Sequence, residues 1–123
     1  MALKPDSGAL QIPAGATTTQ TSPDFVNSHG HRGISVVVDT TVIGTGSITL
    51  TIQGKDRASG KYYTLLAGLA ITTNVTNRYL VFPGATVTAN VSANDELPEI
   101  FRLVVTANNA NAATYTVGWS TLP

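Results

Sequence analysis

Residues 47–53 read SITLTIQ, and this stretch decides the fold class. Its apolar residues Ile48, Leu50 and Ile52 alternate strictly with threonine and glutamine. Successive side chains of a β-strand point to opposite faces, so the pattern places three apolar side chains on one face and polar ones on the other. The stretch is therefore predicted to be a half-buried strand of an antiparallel sheet.

The same alternation recurs on both sides of this strand. Residues 33–39, 99–107 and 114–120 each place apolar side chains on one face, which predicts three more strands. A polar hairpin loop over 56–61 leads into a further strand over 62–67. The face that these strands bury is predicted to contain Ile34, Val36, Ile48, Leu50, Ile52, Leu103, Val105 and Val117.

Shorter segments complete the pattern. Residues 16–20, 70–73, 78–82 and 86–91 are expected to be strands, and 94–100 could form one helical turn at most. Seven or eight short strands with turn residues between them are typical of an all-β domain. The prediction is a single-domain antiparallel β-sandwich, jelly-roll-like, or a barrel.

The N-terminus is expected to differ from the rest of the chain. Residues 1–15 contain two prolines and two glycines and show no hydrophobic periodicity. They are predicted to be an extended N-terminal arm, ordered only if something holds it. The β-sandwich domain is expected to span residues 16–123.

Composition limits the function classes. Nineteen Thr, 12 Val and 7 Ile favour β-structure, because β-branched side chains pack well on a pleated surface. The seven basic and seven acidic residues give a net charge of zero, so no long-range attraction to nucleic acid or membrane is expected. The absence of cysteine excludes disulfides and thiolate metal sites. The longest apolar stretch, 65–71, is too short to span a bilayer, and residues 1–19 contain no run typical of a signal peptide.

One histidine cluster offers a candidate metal site. His29 and His31 flank Gly30, and Asp24 or Asp39 could supply a third ligand. This spacing matches no zinc-site pattern. The favoured interpretation is a polar loop with exposed imidazoles before a strand.

The chain is expected not to be an enzyme. It has no G-x-S-x-G element, and its only paired acids, Asp95 and Glu96, are adjacent rather than placed across a cleft. No catalytic, cofactor-binding or metal-binding residue is therefore predicted, and no cofactor.

The hairpin between the second and third strong strands combines basic and aromatic residues: Lys55, Arg57, Lys61, Tyr62 and Tyr63. Such a patch can bind single-stranded nucleic acid through charge and stacking. An aspartate interrupts it, however, and the net charge is zero. A solvated hairpin tip with one tyrosine in the core is the favoured interpretation.

Three stretches carry a family resemblance: TTTQTSPDFVNSHGHRGISVVVD (17–39), ITLTIQGKDRASGKYYTLLAG (48–68) and ELPEIFRLVVTANNANAATYTVGWS (96–120). Together they resemble small proteins encoded among the structural genes of tailed bacteriophages and prophages. Residues 51–56 and 59–66 are the most specific part, and the resemblance spans residues 16–120. It implies a virion structural protein, and the size and fold type favour a head decoration, or cement, protein.

The resemblance also implies partners and a location. These are the major capsid protein, self-association as a dimer or trimer, and a virion assembled in the bacterial host cytoplasm. The alternative is a carbohydrate-binding module of a phage fibre or secreted enzyme. That function would require exposed aromatic residues on one face, and the candidates are Tyr62, Tyr63, Tyr79 and Trp119. Trp119 lies on an apolar strand face, so core packing is predicted for it instead.

Overall fold

The computed structural model describes residues 6–123, and all regular structure in them is β. The strands are β1 (Ser7–Ala9), β2 (Gln20–Thr21), β3 (Phe25–Val26), β4 (Gly33–Val42), β5 (Ile48–Lys55), β6 (Tyr62–Ala67), β7 (Thr76–Val81), β8 (Ser92–Ala93), β9 (Ile100–Ala107) and β10 (Thr114–Leu122). The helical turn considered for 94–100 does not form. The described residues contain no helix that could cross a membrane.

The strands form two sheets. One has the order β1-β10-β4-β7-β8, and the other has the order β2-β9-β5-β6, with β3 also paired to β9. Every pair is antiparallel except β7 with β8, which run parallel over two residues. The predicted all-β sandwich is confirmed, and the barrel alternative is wrong. Among the described residues no ladder joins the two sheets, and three of the four strands at their edges, β1, β2 and β8, are only two or three residues long.

The core lies between the two sheets. All eight residues predicted to be inside are buried there. They are joined by aromatic residues from β7, β9 and β10, among them Tyr79, Phe101 and Tyr115. Burial raises the pKa of Tyr79, and it raises the pKa of Tyr115 to about 12. The period-2 pattern therefore assigned the buried face correctly.

The stretch SITLTIQ occupies an interior position of its sheet. β5 pairs with β9 on one side and with β6 on the other. Leu50 lies opposite Val105 of β9, and Ile52 lies opposite Leu103. On the polar face, Arg102 Nε donates a hydrogen bond to Gln53 Oε1 at 2.7 Å. Both faces of the pattern are thus used, one for packing and one for polar cross-strand contacts.

Three of the predicted weak strands are wrong. Residues 70–73 contribute only an isolated bridge between Ile71 and Ile48, and 16–20 contribute a bridge at Ala16 and the first residue of β2. Residues 86–91 fold into a turn in which Val91 N–H donates to the Thr88 carbonyl oxygen at 3.0 Å. Their threonine and valine content favours a strand, but Asn90 adopts a positive φ of 64°, which ends extended structure locally.

The described part of the predicted arm is extended and pairs with the domain itself. β1 runs antiparallel to β10, with Gly8 opposite Trp119. Leu10 N–H donates to the Val117 carbonyl oxygen at 2.9 Å. A Cβ at Gly8 would lie 3.0 Å from the Trp119 ring, so the glycine lets the strand approach the indole closely. The first five residues of the predicted arm lie outside the described residues.

Candidate functional site

The two histidines lie in different environments. The His29 side chain is exposed, and its Nδ1 lies 3.0 Å from Asp6 Oδ2. The His31 side chain is fully buried, with Nδ1 2.6 Å from Thr121 Oγ1. The expectation of exposed imidazoles is correct for His29 and wrong for His31. The buried His31 ring lies beside Thr121, at the end of β10, and near Asp6 of the N-terminal segment.

This histidine region joins the ends of distant segments. Asp6 N–H donates to Thr121 Oγ1 at 2.7 Å, and Thr121 N–H donates to the Asp6 carbonyl oxygen at 2.7 Å. The Asp6 carboxylate lies 3.9 Å from His31 Nδ1. The contacts fasten the start of β1 to the end of β10 and to the loop before β4.

Neither aspartate considered as a third metal ligand joins the histidines. Asp39 Oδ1 accepts a hydrogen bond from Thr76 Oγ1 at 2.8 Å, and Asp24 pairs with Lys55, the last residue of β5. Across residues 6–123, no group of three or more His, Cys, Asp or Glu side chains is placed to hold a metal ion.

The basic hairpin is tied to the body of the domain by Asp24. Lys55 Nζ lies 3.0 Å from Asp24 Oδ2, and the Tyr62 hydroxyl donates to Asp24 Oδ1 at 2.7 Å. The hydrogen bonds from Tyr62 and then Lys55 lower the pKa of Asp24, and the bond to Asp24 raises the pKa of Lys55. The Arg102 guanidinium carbon lies 3.4 Å from the centroid of the Tyr62 ring. The Tyr62 hydroxyl and one face of its ring therefore contact residues of the same chain.

The tip of the hairpin is a solvated turn. Asp56 Oδ2 accepts a 2.7 Å hydrogen bond from Ser59 Oγ, which lowers the pKa of Asp56. Arg57 lies 2.7 Å from Glu99 Oε1 across the exposed surface. Tyr63 is exposed, and Tyr62 is partly exposed. The expectation that one of these tyrosines enters the core is wrong, because Tyr62 packs against Arg102 on the polar face of the sheet and the Tyr63 ring lies exposed over Gly54.

The four candidate carbohydrate-binding aromatics do not share one exposed face. Tyr79 is buried in the core, whereas Tyr63 is exposed on β6. Tyr62 is covered on one ring face by Arg102. Trp119 is half-buried, and its ring centroid is 4.9 Å from that of Phe25. The predicted packing role of Trp119 is thus confirmed.

The open side of the sandwich near the N-terminus forms a surface that no single sequence motif marks. We call it the N-terminal seam: residues 6–12 on one side and 20–26 on the other. A cleft of about 310 Å³ there is lined by Asp6, Phe25 and Trp119, among others. A second cavity of about 330 Å³ continues along residues 9–12 and 20–23. Short strands β1, β2 and β3 border the seam, so it offers aromatic side chains and strand edges together.

Comparison with known proteins gives one informative likeness. No protein-family model matches this chain, and no curated protein matches its sequence. Among solved structures, the chain is similar to the SPBc2 prophage-derived protein YomS, with a TM-score of 0.51 and 12% sequence identity. The likeness covers 98% of this chain and 97% of that chain. At 12% identity, this likeness shows that the two chains share a fold.

Proposed function

We propose that this chain is a structural protein of a bacteriophage particle and decorates the head by binding the lattice of the major capsid protein. The observation that carries the proposal is the fold shared with a prophage-derived protein along nearly the whole of both chains. The resemblance of residues 16–120 to phage structural-gene products supports the same origin. The head is favoured over other parts of the particle because a small all-β domain suits a lattice-bound cement protein.

The surface chemistry supports attachment to other protein. Only 11% of residues are charged and the net charge is zero, so little repulsion opposes close association. The sheets end in short edge strands on both sides of the sandwich, and strand edges offer unpaired backbone groups to a partner. We infer self-association as a dimer or trimer from the same features. The protein would then be located in the virion, after assembly in the host cytoplasm.

The test is reconstitution on heads assembled without this chain. Purified protein is added at increasing concentration, and the copies bound per head are counted by quantitative mass spectrometry. We expect saturable binding at a fixed ratio to the major capsid protein. About 0.5 M salt screens charge–charge contacts within a few ångströms. Binding should survive it, because apolar and backbone contacts rather than charges are expected to hold the protein on the head. Failure to bind, or binding that never saturates, would contradict the proposal.

We infer that the N-terminal seam is the attachment surface, because it offers aromatic side chains beside strand edges, and two matched variants test this. Val26 lines the N-terminal seam and Val42 lies at the far end of β4; they are 59% and 60% exposed. Val26→Lys is expected to weaken head binding because it places a charge in the contact, whereas Val42→Lys leaves binding unchanged. Loss of binding in Val42→Lys alone would place the interface elsewhere. Micromolar affinity for a glycan without any head binding would favour the carbohydrate-binding alternative.

A further inference from the structure

A second open side of the sandwich contains an apolar groove, which we call the edge groove. It lies between β7 and the segment that follows β6, and its volume is about 410 Å³. Leu69 and Val91 form exposed parts of its wall, and the buried residues Ile71 and Tyr79 also line it. Leu69 is 67% exposed. Apolar side chains exposed together around a concavity mark a binding surface more often than scattered ones do.

The backbone of β7 faces this groove without a neighbouring strand. Thr40 N–H donates to the Val75 carbonyl oxygen at 2.9 Å. Because hydrogen-bonding direction alternates along an antiparallel ladder, the N–H and C=O groups of Thr76 and Arg78 point away from β4. On that outer side, β8 pairs only with Leu80 and Val81. Within residues 6–123, no strand pairs with the outer edge of β7 over 76–79.

One charge accompanies this free edge. Arg78 is the only charged residue among those described that line the groove. Its Nε donates to Ser35 Oγ at 3.1 Å, and no described carboxylate forms an ion pair with it at 4.0 Å or less. Arg78 lies on the solvent face of β7, and Tyr79 lies on the core face. An adjacent strand would therefore place one set of side chains beside Arg78 and the other set in the groove.

We propose that the edge groove binds an extended segment of a partner protein, which adds a strand beside Thr76–Arg78. Its inward side chains are small and apolar and contact Leu69 and Val91. An outward carboxylate pairs with the Arg78 guanidinium. Backbone hydrogen bonds supply affinity and the alternate side chains supply specificity, as in other cases of strand addition. The inference goes beyond attachment to the head, and its test requires no capsid.

A partner segment fits this edge better than a second copy of the same chain. Pairing two β7 edges around Asn77 would place Arg78 of each copy opposite Thr76 of the other, with no carboxylate facing either arginine. Two uncompensated arginines close together oppose such a dimer. A segment with one acidic side chain removes that penalty, and its apolar face covers the exposed side chains of Leu69 and Val91.

The test uses three synthetic peptides with a soluble ethylene-glycol tail. They are TVTVDVTVT, the same sequence with lysine in place of aspartate, and the aspartate peptide with the valine and the threonine on each side of the aspartate replaced by proline. Binding to the full chain is followed by NMR through the backbone amides. We expect saturable shifts at Thr76 and Arg78 with the aspartate peptide. The lysine peptide should bind about tenfold more weakly, as expected for loss of one close charge pair, and the proline peptide should not bind because it cannot complete the ladder.

Variants of the chain make the test specific. Arg78→Glu should reverse the preference between the aspartate and lysine peptides. Leu69→Lys should weaken binding of the aspartate peptide, whereas Val87→Lys should not; Val87 is 66% exposed and lies outside the groove. Equal binding of the two charged peptides, shifts confined to other residues, or no binding would overturn the proposal. NMR shifts of the Thr76 and Arg78 amides that depend on protein concentration in the absence of peptide would also overturn the proposal, because they would identify a second copy of the chain as the occupant.

Discussion

Replacing Leu50 by alanine tests the assignment of the buried face most sharply. Leu50 is 1% exposed and lies in β5, between β9 and β6. Ladders on both sides of β5 hold the backbone in place, so the space left by the side chain cannot close fully. Removing its outer carbons costs about 0.8 kcal/mol for each methylene-sized group. The residual cavity adds to this, which gives a total of about 3–4 kcal/mol, within the range of about 2–5 kcal/mol for such changes.

Leu69→Ala is the matched control, because it removes the same atoms from a side chain that is 67% exposed. Its cost should stay below about 0.5 kcal/mol. Urea unfolding followed by circular dichroism measures both free energies. With an m-value of about 2 kcal/mol/M, Leu50→Ala should lower the midpoint by about 1.5–2 M. A change below about 0.5 kcal/mol for Leu50→Ala, or equal changes for the two variants, would refute the packing argument.

Three other changes probe separate features. Gly33→Ala should destabilise the domain by about 1–3 kcal/mol in urea unfolding, because the new Cβ would lie 2.4 Å from the Val81 carbonyl oxygen; an unchanged midpoint would contradict this contact. The hydrogen bond from the Tyr62 hydroxyl lowers the pKa of Asp24 below its ordinary value of 3.8. The ionised Asp24 carboxylate therefore stabilises the fold at pH values above 3.8, and this contribution is lost as the pH falls through the lowered pKa. Asp24→Asn should therefore flatten the acid limb of the stability–pH curve, and an unaltered limb would argue against the contact. Thr121→Val removes the hydroxyl that accepts a hydrogen bond from the Asp6 N–H, so amide hydrogen exchange should quicken over β1 but not over β5. Uniform acceleration would indicate global destabilisation instead.

The strands with strict alternation could be predicted because their pattern follows from local geometry alone. In SITLTIQ, each apolar side chain lies on the same face whatever the rest of the chain does, so Leu50 and Ile52 were placed correctly. Residues 86–91 have the same β-branched composition without a consistent period. There the positive φ of Asn90 decides the local structure, and composition does not reveal that.

The sites depend on contacts between distant segments, which single-sequence patterns do not encode. His31 is buried, and its hydrogen-bond partner Thr121 lies ninety positions away in the sequence. The N-terminal residues show no periodicity, yet β1 pairs with β10 near the opposite end of the chain. The N-terminal seam likewise joins Phe25 with Trp119. The one detectable signal for that seam is the alternating apolar face of residues 114–120, which includes Trp119.

Imaging the phage particle by electron cryo-microscopy tests the central claim most directly. If the chain is a decoration protein, density that fits its two-sheet sandwich will lie on the outer surface of the head, in contact with the major capsid protein and repeated with the lattice. Heads assembled without the chain will lack that density and otherwise keep their symmetry. Density for the chain only in the tail or fibres, or its absence from the particle, would contradict the claim.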